Sequence, residues 1–282
     1  MLAVLTLNCL DKRGIVADVS KLIFDVGGNI LDAQQHREEL GNQFFMHIKF
    51  DIDDITCTRQ ELQAQFKALT DNYEMSWSLN FSDKKKRMAI MVSKYDHCLY
   101  DLLLRHQYGE LDTDISMIVS NHLDLESVAA HFKVPYFYIP RNKDNRQEAD
   151  QKALELFQSN QTDFVVMARY MQILTPTILD AFPYKVINVH HGFLPAFKGA
   201  KPYHQAYEKG VKLIGASSHY ATLDLDMGPL IEQETTRVNH SYCVEDLVRL
   251  GRDIENSVLA EAVKAHIEDR IIVFNNRTIV FS

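Results

Sequence analysis

The hydrophobic positions along this chain change period near residue 85, and the change divides it. Ala3 to Cys9 reads as a strand. Ile15, Val16, Val19, Leu22, Ile23 and Val26 then recur at helical spacing, with Asp18, Lys21 and Asp25 on the other face. Gly27-Gly28 closes that helix as a C-cap does. Asn29 to His36 and Phe44 to Asp51 read as two strands joined around Leu40-Gly41-Asn42. Glu61, Leu62, Phe66 and Leu69 predict a second amphipathic helix, and Met75 to Leu79 alternates like a fourth strand. The order β-α-β-β-α-β is that of the split βαβ, ferredoxin-like unit. His36 and His47 are isolated in this region and read as strand-face residues.

Ser82 to Arg87 is polar and basic, and the domain boundary is expected there, with a first domain of 1–83 and a second of 84–282. Beyond it, Met88 to Val92, Ile115 to Val119, Pro135 to Ile139, Phe164 to Met167 and Val186 to Val189 predict strands. Leu99 to Leu104, Leu125 to Phe132 and Glu148 to Phe157 predict helices between them. Such alternation predicts an α/β domain, Rossmann-like, with a mostly parallel sheet and helices on both faces. Ligands of such sheets gather at the carboxyl ends of the strands, where Asn188, His190 and the Ser93-Lys94-Tyr95 turn are expected.

Composition narrows the class. The 282 residues carry a net charge of −8, which gives no footprint for nucleic acid or an anionic membrane. Lys84-Lys85-Lys86-Arg87 is the one basic cluster and reads as a linker leading into a strand. Cys9, Cys57, Cys98 and Cys243 lie far apart without CxxC spacing, against a disulfide framework or a thiolate zinc site. No segment has about 18 consecutive apolar residues and the N-terminus lacks a basic leader, so a cytoplasmic protein is expected.

The candidate chemistry lies between Lys185 and Gln233. Attack on a carbonyl builds charge on oxygen, which a fixed donor such as Asn188 stabilises. His190 can deliver a proton near neutral pH, and a carboxylate such as Asp226 can orient or deprotonate the attacking group. With no Gly-x-Ser-x-Gly elbow and no cysteine near a suitable histidine, direct attack by water fits better than a covalent intermediate. Each residue also has a local reading: Asn188 as a turn former, His190 as a structural imidazole, Asp226 bonding its own turn.

Two resemblances sharpen this. DKRGIVADVSKLIFDVGGNILDAQQH resembles the ACT domain, a small-molecule-sensing module. That likeness implies an amino-acid effector near Asp11, Gly14 and Ile15, and side-by-side pairing into a homo-oligomer. Asn188-Val189-His190, Leu194-Pro195 with Gly199, His219, and Leu225-Asp226-Met227-Gly228-Pro229 resemble the core of the formyltransferase fold. The resemblance covers Met88 to Ser282 and implies 10-formyltetrahydrofolate as substrate, with no cofactor and no metal. It makes Asn188, His190 and Asp226 the catalytic set. It also implies that the Arg169 to Leu174 backbone holds the pterin, with Met171, Gln172, Ile173, Leu174, His191, His219 and Asp224 as substrate-binding residues.

Within that fold, the glycinamide ribonucleotide branch holds a phosphate on a glycine-rich turn, whereas Ser93 to His97 contains no glycine. The tRNA branch carries a further C-terminal domain, whereas this sequence closes after a helix and a hairpin. The formyltetrahydrofolate deformylase branch is similar throughout, including His190-His191, Phe193 to Phe197 and Ala200 to Tyr207. It implies hydrolysis to formate and tetrahydrofolate, supplying formate and balancing one-carbon folate pools for purine synthesis. Two departures are Gly192, where the branch usually has Ser, and Gln172, often basic in relatives. The alternatives are formyl transfer to an amine, zinc bound by His190, His191, His204 and His219, and a non-catalytic folate- or amino-acid-binding regulator.

Overall fold

The computed structural model describes residues 1–39, 41–196, 199 and 201–282; Leu40 of the expected turn, and Phe197 and Ala200 of the quoted loop motif, lie outside the described residues. Two units form: Met1–Lys85 with Glu268–Phe274 and Ile279–Ser282, and Lys86–Ile267 with Asn275–Thr278.

In the first unit, β1 (Leu2–Leu10), α1 (Ile15–Asp25), β2 (Asn29–Glu38), β3 (Gln43–Asp51), α2 (Arg59–Tyr73) and β4 (Ser76–Phe81) follow in sequence. The strands pair antiparallel in the order β2-β3-β1-β4, the expected ferredoxin-like sheet. Gly27 ends α1 at φ 88, and a Cβ there would come 2.8 Å from the Asp54 carbonyl oxygen, so the turn requires glycine. A capping box starts α2: Thr58 Oγ1 accepts from the Glu61 N–H, and Glu61 Oε2 accepts from the Thr58 N–H at 2.8 Å. Alternation along β3 sends Phe44, Met46, Ile48 and Phe50 into a core with Ile15, Val19, Ile23, Leu62 and Phe66. Phe45 and His47 point to the other face, where Phe45 clusters with Ile272 and Phe281, and His47 stacks on Phe281 with ring centres 5.5 Å apart.

The second unit begins with β5 (Lys86–Val92), α3 (His97–Gln107), β6 (Thr113–Ser120), α4 (Glu126–His131), β7 (Tyr136–Tyr138), α5 (Arg146–Ser159) and β8 (Phe164–Met167). It continues through α6 (Pro176–Leu179), β9 (Val186–His190), α7 (Pro202–Glu208), β10 (Leu213–Tyr220), β11 (Leu230–Arg237) and α8 (Val244–Ile267). A last pair, β12 (Ile271–Phe274) and β13 (Arg277–Val280), makes a two-stranded sheet. The large sheet runs β11-β10-β9-β8-β5-β6-β7. Its pairs from β9 to β7 are parallel, and β10 and β11 add antiparallel strands at one edge. The α/β class and mostly parallel sheet are therefore as expected. One face packs Ala89, Met91, Met117 and Val165 against Ala153, Phe157 and Phe182. Toward α8, Ile214 and Ala216 pack with Tyr203, Leu247, Ile254 and Val258.

Two local readings of the pattern differ from the structure. The apolar pattern from Val186 predicts a strand that stops at Val189, with Asn188 near its end, but β9 runs on through His190. Lys86 and Arg87 are not linker: they open β5. Lys86 Nζ donates to the carbonyls of His266 and Ile267 at 2.7 and 2.8 Å, a cation on the last carbonyls of α8.

His266, near the end of α8, carries a pH consequence. The Tyr220 hydroxyl hydrogen-bonds with its Nδ1 at 2.8 Å, and the Phe164 ring lies 4.7 Å away. Burial first, then the charges of Lys86 and Lys185, pull its pKa from 6.5 to about 3. The folded value is depressed, so both states are neutral above 6.5 and only the unfolded chain takes the proton below it. Denaturant titrations should therefore lose about 1.4 kcal/mol of stability per pH unit from this residue as pH falls from 6.5 toward 3. His266→Gln should make that slope shallower by the same amount.

Candidate active site

The antiparallel pairing of β10 onto β9 sets Asn188 opposite His219 and His190 opposite Ser217. Asn188 and His190 are two residues apart and share a face of the sheet, and directly opposed residues share it too. Between Ser218 and His219 the register with β11 slips, a bulge of the kind that re-aims a side chain beside a site. Asn188 Nδ2 and His219 Nε2 lie 3.1 Å apart, while His219 Nδ1 lies 3.0 Å from the Tyr220 carbonyl. A carbonyl can only accept, so Nδ1 carries the proton, Nε2 accepts, and Asn188 donates. Burial holds the His219 pKa below its usual value, keeping this neutral tautomer.

Asp226 completes the group from the turn between β10 and β11. Its Oδ2 lies 3.3 Å from His190 Nδ1, and its Oδ1 lies 3.8 Å from His219 Nε2. Burial raises its pKa, but the hydrogen bond with His190, the neighbouring His190 and His219 imidazoles and the Gly199 N–H outweigh that and hold the carboxyl below its ordinary value. Asp226 stands at φ 55, and Gly228 packs so closely under Tyr220 that a Cβ would fall 1.8 Å from the Tyr220 carbonyl oxygen. Asn276 Nδ2 donates to the Met227 carbonyl at 2.9 Å and holds the same turn.

Beside these groups opens a pocket. Met167, Ile173, Leu174, Leu179, Ala221 and Leu225 give it an apolar wall; Gln172, Asn188, His219, Thr222 and Asp226 give it polar groups. A concave, mostly apolar site with a few converging polar groups is what binding a flat heterocycle calls for. The Met171 to Leu174 segment is pinned from three sides. Met171 N–H donates to Ser93 Oγ at 3.0 Å, and Ser93 in turn donates to Asn121 Oδ1 at 2.7 Å. The buried pair Arg141 and Asp150 does the rest, Arg141 donating to the Ile173 carbonyl and Asp150 accepting from the Thr175 N–H at 2.7 Å.

The remaining expected residues are more dispersed. Met171 and Ile173 are half-exposed and Leu174 is buried. Asp224 is exposed on the turn, where its carbonyl accepts from Thr222 Oγ1 at 3.1 Å. His191 does not line the pocket: its ring lies 6.2 Å from that of Tyr203, and burial followed by the charge of Arg169 lowers its pKa to about 3. His204 is exposed on α7, so among the described residues the four histidines proposed as a zinc set do not gather. Gly192 touches the site directly, since a Cβ there would stand 3.0 Å from His190 Nε2 and 3.0 Å from Pro202 Cβ. In the first unit, Asp11 pairs with Arg37 Nε at 2.6 Å, Gly14 caps α1 at φ 98, and the Ile15 side chain is core.

Sequence reasoning missed Arg141, Asp150, Ser217 and Gln233. Ser217 Oγ accepts from the Leu194 N–H at 3.0 Å and donates to the Gly192 carbonyl at 3.1 Å, and Gln233 donates to the Leu194 carbonyl at 2.9 Å. Asp150 did leave a signal: it falls on the same stripe of α5 as Ala149, Ala153, Leu154 and Phe157, a charge among buried apolar positions.

Comparison with known proteins assigns the class first. The family model for formyl transferase matches residues 86–263, and that for the ACT domain matches residues 3–66. A formyltetrahydrofolate deformylase of Bacillus subtilis is 47% identical over 279 residues, covering 99% of this chain and 93% of that protein. One from Synechocystis is 45% identical over 280 residues, covering 99% and 98%. The crystal structure of a formyltetrahydrofolate deformylase from Pseudomonas syringae superposes with a TM-score of 0.97 at 42% identity, covering all of this chain and 94% of that one. The chain belongs to the formyltetrahydrofolate deformylase family.

Because Gly228 has no room for a side chain, Gly228→Ala must move the turn that carries Asp226. Turnover at this site is expected to fall by about 100-fold, the usual cost of a displacement near 1 Å. Far-UV circular dichroism should stay unchanged, which separates the local shift from unfolding.

Proposed function

We propose that this chain hydrolyses 10-formyltetrahydrofolate to formate and tetrahydrofolate, with water as the formyl acceptor. The observation that carries the reading is the convergence of Asn188, His219 and Asp226 at one pocket, with Asp226 ionised and backed by His190 at 3.3 Å. The pterin lies along the Met171 to Leu174 backbone, between the apolar wall and Gln172, and the formyl carbon stands against Asn188 and Asp226. His191 backs His190, and Asp224 meets the substrate at the mouth of the pocket.

Asp226 orients a water molecule and takes its proton as the oxygen attacks the formyl carbon. Charge then develops on the formyl oxygen, and Asn188 donates to it with the Nδ2 hydrogen not committed to His219. His190, its Nδ1 turned to Asp226, adds positive charge to that stabilisation and passes a proton toward N10 as the C–N10 bond breaks. The Asn188–His219 hydrogen bond and the Tyr220 carbonyl keep the amide from rotating, so the donor is in place before charge appears.

The formate supplies one-carbon chemistry for purine synthesis in the cytoplasm, and the ACT unit binds an amino-acid effector near Asp11 and Gly14 in a homo-oligomer. No helix of the described residues is long and apolar enough to cross a membrane.

Asp226→Asn is expected to abolish formate release while leaving the affinity for a non-hydrolysable folate analogue within about threefold, as for a group used mainly in the transition state. Near-normal formate release would overturn the role given to Asp226. The same formate assay, repeated with each amino acid in turn, tests the effector: a change in rate that Asp11→Ala removes supports it, and a rate indifferent to all of them refutes it.

A further inference from the structure

Beyond His191 a second group of buried side chains adjoins the reaction centre without entering the chemistry above. Glu255 of α8 is 1% exposed. Its Oε2 accepts from His97 Nε2 at 2.9 Å, and its Oε1 accepts from the Tyr203 hydroxyl at 2.8 Å. Arg169 Nε lies 3.4 Å from the same Oε2, and the Arg169 guanidinium sits under the Tyr95 ring, its Cζ 4.7 Å from the ring centre. Arg169 is 7% exposed, and its Nε and Nη1 have no hydrogen-bond partner. The cluster reaches the centre through His191, whose ring is 5.5 Å from that of His190 and 6.2 Å from that of Tyr203.

Two backbone features show that the chain accommodates this cluster at a cost. Arg169 stands at φ 61, a left-handed conformation in which a long side chain is strained and glycine is not. Gly251 interrupts α8 with the poorest helix former after proline, because a Cβ there would fall 2.1 Å from Tyr203 Cζ. Gly251 and Glu255 are one turn apart on the same face, so the helix opens for the tyrosine whose hydroxyl then meets the carboxylate. His97 and Cys98 lie within reach of Glu255 as a metal set would, but His97 Nε2 and both Glu255 oxygens are already engaged, and burial pushes the Cys98 thiol well up.

None of Tyr95, His97, Arg169, Tyr203 and Glu255 lines the pocket assigned to the folate. Tyr95 and His97 follow β5, and Arg169 follows β8, so they stand at the carboxyl ends of the two central strands. The cluster thus adjoins the reaction centre from outside that pocket, through His191. We propose that Arg169, clamped between Tyr95 and Glu255, fills the approach an amine acceptor would need and so reserves the formyl carbon for water.

The proposal rests on the hydrolytic reading above. In amine transfer, the amine nitrogen forms the bond to the formyl carbon. The C–N10 bond breaks with its electron pair going to N10, and N10 gains the proton the amine loses. In hydrolysis the water oxygen makes that bond and formate leaves. Nothing else in the balance differs, so access alone can decide the product.

Arg169→Gly removes the side chain, relieves the positive φ and leaves Glu255 bound to His97 and Tyr203. The full chain and this variant are given 10-formyltetrahydrofolate with increasing glycinamide, a small primary amine, and formate and N-formylglycinamide are measured against an enzyme-free control. Wild type is expected to release formate alone. Arg169→Gly is expected to raise the ratio of N-formylglycinamide to formate at least about tenfold, in proportion to the amine. That ratio does not change when a variant merely loses active molecules. Tyr95→Ala, which strips the half-exposed cover from the guanidinium, should raise the ratio too, and it decides the matter if Arg169→Gly does not fold. A folded variant that hydrolyses the folate and gives no more formyl amine than wild type overturns the proposal. Failure of wild type to release formate strikes the hydrolytic reading instead.

Discussion

The site depends on one constraint, the reversal of direction at the edge of the parallel sheet. As far as β9 the strands run the same way, and each presents its carboxyl end on its own. Because β10 pairs antiparallel to β9, His219 comes to lie opposite Asn188 rather than beyond it. A parallel neighbour would have put only its terminal residues at that edge. The reversal also requires β11 to return along β10, so the connecting turn, with Asp226 in it, folds back beside the strand residues it must meet.

Much of this was legible in residue order. Period 2 and period 3.6 separated the elements of both units, and the amide, imidazole and carboxylate were recognisable as parts of one chemistry. What the pattern could not show was contact between distant positions. Nothing in the sequence distinguishes an Asn188 that ends a strand from one inside it, because the extra hydrogen bonds come from β8 and β10. Lys86 resembled solvated linker until the last carbonyls of α8, 180 residues on, came within its reach. The short α6 and α7 carry too few turns for a periodicity to emerge. Asp150 was readable, as a carboxylate on an apolar stripe, and Arg169 was not, because its burial and its positive φ exist only in three dimensions.

The adjacent histidines meet different surroundings. His190 lies 3.3 Å from the Asp226 carboxylate, while His191, just beyond the end of β9, packs toward Tyr203 and feels the charge of Arg169. Gly192 follows them without a side chain, against the His190 ring and Pro202, where even a Cβ would press at 3.0 Å. The sequence alone left open whether a side chain at this position would act on water or on a turn. The geometry makes it first a matter of room for the imidazole.

The Tyr220 carbonyl has a wider significance than its two contacts suggest. It accepts the His219 Nδ1 proton, and it is the surface on which Gly228 rests. The imidazole that steadies Asn188 and the turn that supplies Asp226 are thus referenced to a single backbone atom. A substitution that moves this peptide would therefore disturb the amide donor and the carboxylate together, although neither residue is its neighbour in sequence.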